Sequence, residues 1–197
     1  RGAGSIFGHK QSGHITTVGF QMYCDLLSIE IQKTKSEDGV VQKAPNVTTS
    51  FQLDISSDYI ENMSLRIDYY YRIGSATSVE QLNKVEKELV DVFGPIPDKT
   101  RKLLLVTSLK NRYRSTPVSQ IDIQDGVLKI VVQPFNEKEQ LVFLSRVGIY
   151  KHKALESVRF KEVSGGLLGV FLNISDSGDV FDLLSDFVHL FDPIDTA

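Results

Sequence analysis

Residues 54–112 read DISSDYIENMSLRIDYYYRIGSATSVEQLNKVEKELVDVFGPIPDKTRKLLLVTSLKNR. The stretch predicts three helices in succession. The first spans about Asp58 to Ile73, with Tyr59, Ile60, Met63, Ile67 and Tyr70 on one stripe, and Gly74 and Ser75 end it. Tyr69, Tyr70 and Tyr71 point about 100° apart on a helix, so they cannot form one stacking platform. Tyr70 is the one expected in the core. The second helix opens on a capping-box pattern, Ser78 followed by Gln81. Its stripe is Val79, Leu82, Val85, Leu89 and Val92. Gly94 and Pro95 stop it, one permitting a left-handed cap and the other denying a continuing N–H. The third helix follows Pro97, with Asp98 as N-cap, and buries Leu103, Leu104, Val106 and Leu109.

Downstream the pattern changes to alternation. Val118, Ile121 and Ile123 lead into Asp125-Gly126, a two-residue hairpin turn, and residues 127–132 return. Asn136 caps a helix through Val147 with Leu141, Leu144 and Ser145 inward. A second hairpin follows, residues 158–163 and 167–174 around Ser164-Gly165-Gly166. A last helix covers Asp179 to Phe191, burying Val180, Leu183, Leu184, Phe187 and Phe191. The expected fold class is α+β: helices first, then an antiparallel sheet with helices on one face.

Upstream, residues 18–33 form a helix with Val18, Met22, Leu26 and Ile29 in line. Residues 35–50 are polar, carry Gly39 and Pro45, and read as a linker or surface loop. The expected division is 1–34, a motif segment and its helix; 35–50, a linker; and 51–197, one α+β domain.

The whole chain has 197 residues, 41% of them hydrophobic, and a net charge of −3. That charge predicts no general attraction to nucleic acid or acidic membrane. A single cysteine, Cys24, excludes an internal disulfide, fits a reducing, cytoplasmic setting and reads as packing. The histidines His9, His14, His152 and His189 show no metal-ligand spacing with it. No apolar run reaches membrane-spanning length, and the opening residues, which have no apolar core of their own, are not expected to be a signal peptide. The chain starts at Arg1 rather than methionine and is expected to be part of a longer or processed polypeptide.

It opens RGAGSIFGHKQSGH, with glycines at 2, 4, 8 and 13. A Walker phosphate loop needs glycine directly before the lysine, and His9 stands there. A dinucleotide fingerprint needs G-x-G-x-x-G after a strand, and Gly2, Gly4 and Gly8 miss that spacing. The glycines lie instead between Arg1, Gln11 and Ser12, good hydrogen-bonding groups on a closely approachable backbone.

This opening resembles the segment R-G-x-G-x-x-x-G-x-x-Q-S-G of RecG branch-migration helicases and of the transcription-repair coupling factors, the Mfd family. Arg1, Gly2, Gly4, Gly8, Gln11, Ser12 and Gly13 match. Residues 54–112 resemble the coupling factors alone. Tyr59, Ile60, Arg66, Tyr70, Arg72 and Ile73 match the first part of that family's C-terminal pattern. Glu88, Leu89, Asp91, Phe93, Gly94, Pro97, Leu103 and Leu104 match the second. The chain departs at Val92, where the family has arginine, at Asn62, where it has aspartate, and at Ser56 and Ser57, where it has proline.

The resemblance implies a C-terminal regulatory domain of an ATP-driven double-stranded DNA translocase. The parent would displace stalled RNA polymerase and recruit excision repair through UvrA. Arg1, Gly2, Gly8, Gln11, Ser12 and Gly13 would couple ATP hydrolysis to movement. Glu88 and Asp91 would form a clamp against a UvrB-like N-terminal module of the same chain, weakened or altered by Val92. Read without the resemblance, they belong to a solvated helix face with Lys84 and Lys87 as i,i+4 partners. No catalytic residue, cofactor or metal is expected in this chain; ATP and Mg would serve the parent. The basic third helix (Lys99, Arg101, Lys102, Lys110, Arg112, Arg114) reads as a solvated face or as phosphate contacts, and a free-standing nucleic-acid-binding module is the alternative function. The last helix, with Asp176, Asp179, Asp182, Asp186, Asp192 and Asp195 around it, would repel DNA.

Overall fold

The structure, a computed structural model, describes residues 44–192 except 125, 135, 164 and 176–178. The opening motif, Cys24 and the expected helix over 18–33 lie outside the described residues. The described elements are β1 (Asn46–Thr49), α1 (Met63–Ser75), α2 (Val79–Phe93) and α3 (Asp98–Arg112) with a 3₁₀ turn at Tyr113–Ser115. Then come β2 (Val118–Gln124), β3 (Val127–Val132), α4 (Glu137–Ile149), β4 (Leu155–Val163), β5 (Leu167–Ile174), α5 (Val180–Phe187) and a 3₁₀ turn at Val188–Phe191. The fold is α+β, as the patterning predicts.

The sheet has the order β1-β2-β3-β5-β4. The two expected hairpins are both present, but the sheet is mixed rather than antiparallel, because β1 pairs β2 in parallel. β1 also falls inside the stretch read as a linker. Val47, Thr48 and Thr49 are β-branched, and Val47 is fully buried opposite Ile121.

The chain divides into two compact units. One comprises Gln52–Ala76 and Asn83–Leu104. In it α1 begins five residues later than expected. The Asn62 side chain accepts from Ser64 N at 2.9 Å and Leu65 N at 3.1 Å, satisfying two orphan helix donors. Residues 59 and 60 instead turn back to the Ser56 carbonyl. The buried residues of α1 are therefore Tyr69 and Ile73, not Tyr70. Tyr70 is half-buried and accepts from Ile55 N at 2.6 Å, and Tyr71 is exposed.

In the same unit Leu89 is fully buried while Val92, placed on the inward stripe by spacing, is 61% exposed. Gly94 takes φ +83, the left-handed conformation expected of it. Asp98 is the first residue of α3, not its cap, since Arg101 N bonds the Pro97 carbonyl.

The other unit comprises 44–51, Thr77–Leu82 and 105–192. At its Ser78 cap, Gln81 N donates to the Ser78 hydroxyl at 3.3 Å, but the Gln81 side chain accepts from Thr77 N rather than Ser78 N. The expected reciprocal box is shifted by one residue. In the sheet, Ile121, Ile130 and Val170 form one buried cross-strand row, and Ile123, Leu128 and Leu172 the next. The opposite face carries a polar row. Asp122 accepts from Thr48 on β1 and pairs with Lys129 on β3 at 3.3 Å.

Asn136 and Glu139 form a reciprocal capping box at α4. Its buried residues are Phe143 and Val147, whereas Leu141, expected inward, is 69% exposed. The reason is aromatic. Phe143 stacks on Phe191 at 4.9 Å, and Tyr113, Tyr150 and Phe187 pack edge-on in the same cluster. Burying the ring turns α4 about its axis relative to the phase that Leu141 implies. α5 buries Val180, Leu183, Leu184 and Phe187 as expected, but its last turn is 3₁₀.

Candidate docking surface

Glu88 and Asp91 stand one turn apart on α2, where i,i+3 side chains share a face. Their surroundings differ. The Glu88 carboxylate is gripped by Arg72 of α1, Nη1 to Oε1 at 2.8 Å and Nη2 to Oε2 at 2.5 Å. The Tyr69 hydroxyl donates to Oε1 at 2.9 Å. Such a bidentate, charge-assisted pair fixes geometry as well as charge. The Arg72 guanidinium lies 5.0 Å from the Tyr69 ring centroid, and Asp68 lies 3.8 Å from its Nη1. Hydrogen bonds from Arg72 and then Tyr69 hold the Glu88 carboxyl down at about 2. Burial, reinforced by Glu88, pushes the Tyr69 hydroxyl up.

Asp91 is exposed, and its side chain makes no hydrogen bond or ion pair among the described residues. Lys84 and Lys87, read as i,i+4 partners of Glu88 and Asp91, pair with neither. Arg72 is the residue that sequence reasoning missed here. The only signal for it is its place in the resemblance pattern, because its partner lies sixteen positions away.

The other pattern residues brace the same unit. The Tyr59 hydroxyl lies 3.1 Å from both the Leu89 and Gly94 carbonyls. Arg66 donates to the Ile60 carbonyl at 2.6 Å and the Glu61 carbonyl at 2.9 Å. Tyr59 and Tyr69 both set their rings edge-on to Phe93. A helical hairpin held this way presents the end of α2 at a fixed angle.

These braces and the α3 that follows belong to a stretch with known counterparts. Residues 49–141 match the family model of the TRCF domain. The TRCF match thus takes in α1, α2, α3, β2 and β3. The transcription-repair-coupling factor of Haemophilus influenzae is 32% identical over 127 residues, 62% of this chain and 11% of that protein. That of Myxococcus xanthus is 33% identical over 132 residues, 67% of this chain and again 11% of the relative. The chain thus spans only a small part of the curated relatives it matches. The crystal structure of the C-terminal domain of a transcription-repair coupling factor shares the fold. Its TM-score is 0.59 at 16% identity, covering 76% of this chain and 91% of that one.

Elsewhere the expected charged features are partly neutralised. Lys99 lies 2.8 Å from the Gln52 side chain and 4.0 Å from Asp54, and Lys102 pairs with Asp98 at 2.7 Å. At the acidic end, Lys153 pairs with Asp179 at 3.1 Å, and His152 lies 3.7 Å from Asp182. Asp179 makes no side-chain cap bond. Arg1, Gly2, Gly8, Gln11, Ser12 and Gly13 lie outside the described residues. Among the described residues no three acids, histidines or cysteines gather to hold a metal, and no helix is long and apolar enough to cross a membrane.

Proposed function

We propose that this chain is the C-terminal regulatory region of a transcription-repair coupling factor. In that reading the parent is an ATP-dependent double-stranded DNA translocase that displaces stalled RNA polymerase and recruits nucleotide excision repair through UvrA. The chain itself carries no catalysis. The C-terminal end of α2, with Asp91 exposed on it, docks on a UvrB-like N-terminal module of the same polypeptide and keeps the resting protein closed. The observation that supports the reading most is the TRCF match over residues 49–141, which contains both Glu88 and Asp91. A closed state held by such a contact is a two-state switch that each contact biases.

The test is Asp91→Arg in the full-length protein. Reversing an exposed docking charge favours the open state, so resting ATP turnover or UvrA binding rises. If both stay at the wild-type level, the clamp assignment falls. Gln11→Ala tests the coupling motif: ATP turnover persists while movement on DNA is impaired, and unimpaired movement removes that role. The basic α3 favours a second reading, a nucleic-acid-binding module. Micromolar binding of this chain to duplex DNA at physiological salt, with a steep salt dependence, would support it.

A further inference from the structure

The polar side of the sheet carries one row that crosses all five strands. The register sets Thr48, Asp122, Lys129, Phe171 and Arg159 each directly opposite the next. Phe171, on the inner strand β5, therefore has a cation opposite it on either side, Lys129 on β3 and Arg159 on β4. Lys161, two residues beyond Arg159, faces the same side opposite Gly169. Gly169 gives the ring its seat: Phe171 Cε2 lies 3.0 Å, and Val163 Cγ1 2.8 Å, from where a β-carbon at Gly169 would stand. Of the side chains that β3, β5 and β4 turn this way, only Val131 is buried, and Arg159 and Lys161 are exposed. Charge on this face is one-sided. Among the described residues its strands carry Lys129, Arg159 and Lys161 against Asp122 alone. Asp122 is already engaged by Lys129 at 3.3 Å and by Thr48 and Gln120. Glu162 faces the other side, opposite Leu168, and Glu156 falls at the irregularity between Leu155 and Ser157. Arg159 reaches only a neutral partner, Asn173 Oδ1 at 3.4 Å, and Lys161 makes no ion pair among the described residues. A chain of net charge −3 thus presents two uncompensated cations beside an aromatic ring.

We propose that this face binds an unpaired nucleic-acid strand, with one base stacked on Phe171 and the neighbouring phosphates held by Arg159 and Lys161. An aromatic ring on the open face of a sheet accepts any base, and cations beside it follow the backbone charge. Arg159 and Lys161 stand about 6.7 Å apart along β4, close enough to meet successive phosphates of an extended strand. A duplex cannot use the ring, because its bases are already stacked on one another. A protein partner would call for an apolar centre inside a polar rim, whereas here the ring and two cations share one row. Lys129 adds less than the other two, since Asp122 offsets it. Nothing in the strand's backbone or base faces distinguishes ribose from deoxyribose at these contacts, so both sugars are accepted. The surface uses neither Glu88 nor Asp91, and it lies on strands rather than on the basic α3.

The experiment follows fluorescence anisotropy of short labelled oligo-dT, oligo-rU and duplex DNA as this 197-residue chain is added at several salt concentrations. The two single strands are expected to bind within about threefold of each other and about tenfold more tightly than duplex. Two phosphate contacts set a log–log salt slope of about −1.4. Phe171→Leu, which keeps apolar cover over Gly169, weakens binding about tenfold without changing that slope, and Phe171→Tyr stays within about twofold of wild type. Arg159→Gln combined with Lys161→Gln brings the slope close to zero. Lys110→Gln combined with Arg112→Gln, on α3, leaves affinity and slope as they are. If the α3 variant abolishes binding while the sheet variants do not, or if duplex binds as tightly as single strands, the proposal falls and the α3 module is favoured. A poly-glutamate peptide that binds this chain more tightly than either oligonucleotide gives the face to an acidic protein and overturns it. Absence of single-strand binding by the wild-type chain at low salt overturns it as well, and leaves the clamp reading untouched.

Discussion

The Tyr113 hydroxyl, fully buried in the aromatic cluster, donates a 2.7 Å hydrogen bond to the Leu184 carbonyl, 71 positions along the chain. That carbonyl lies in the last turns of α5, where helix acceptors run short of backbone donors. Tyr113→Phe keeps the ring and removes the donor. The expected loss is about 1–3 kcal/mol, the cost of an unsatisfied buried acceptor. Urea denaturation should show a lower midpoint with an unchanged slope.

Two residues of α4 give opposite outcomes despite similar hydrophobicity. Phe143 is buried against Phe191 and Leu141 is 69% exposed. Phe143→Ala is expected to cost about 3–5 kcal/mol, the range for truncating a core aromatic. Leu141→Ala should stay within about 0.5 kcal/mol of wild type. Equal losses in chemical denaturation would mean that α4 is turned the other way.

The Arg72–Glu88 pair makes stability depend on acidity in a definite direction. The Glu88 carboxyl sits at about 2 in the folded chain, below its ordinary value of about 4.3. Its contribution is present above about 4.3 and is lost as pH falls toward 2. Asp122 acts in the same sense: burial pushes its carboxyl up, but bonds from Thr48, Gln120 and Lys129 outweigh this and lower it. In Glu88→Gln the acid slope of the thermal midpoint should be shallower than in wild type. An unchanged slope would show that the pair does not discriminate folded from unfolded chain.

Gly169 and Gly148 test space rather than charge. A Cβ at Gly169 would lie 2.8 Å from Val163 Cγ1 and 3.1 Å from the Lys161 carbonyl oxygen. Gly169→Ala should cost about 1–3 kcal/mol through overpacking between β5 and β4. At Gly148, inside α4, nothing lies within 4 Å of such a carbon. Gly148→Ala should raise stability by about 0.4–1 kcal/mol by restraining the unfolded chain. Thermal midpoints moving in opposite directions are the expected result.

How far these features are legible in sequence depends on whether their cause is local. The β2–β3 hairpin is legible because a turn dipeptide separates two runs of fixed period. The core of α3 is legible because Leu103, Leu104, Val106 and Leu109 keep helical spacing and all four are buried. β1 is not, since four residues contain no measurable period and parallel pairing leaves no local mark. The start of α1 is misread because Tyr59 and Ile60 continue its stripe by chance of spacing. They serve a turn instead, and the tyrosine hydroxyl reaches across to the Leu89 and Gly94 carbonyls. The acidic pair on α2 is visible by spacing alone. That one member is withheld and the other offered depends on Arg72, a relation no window of neighbouring residues contains.

The polypeptide enters the sheet unit with β1, leaves it at Gln52, returns at Thr77, leaves again at Asn83 and returns at Leu105. Two bodies stitched by four crossings among the described residues cannot be separated by one scission. Trimming the chain ahead of Gln52 to isolate the helical hairpin would strip the outer strand from the sheet and bare the flank of β2. Neither part can therefore be made alone as one continuous segment of the chain.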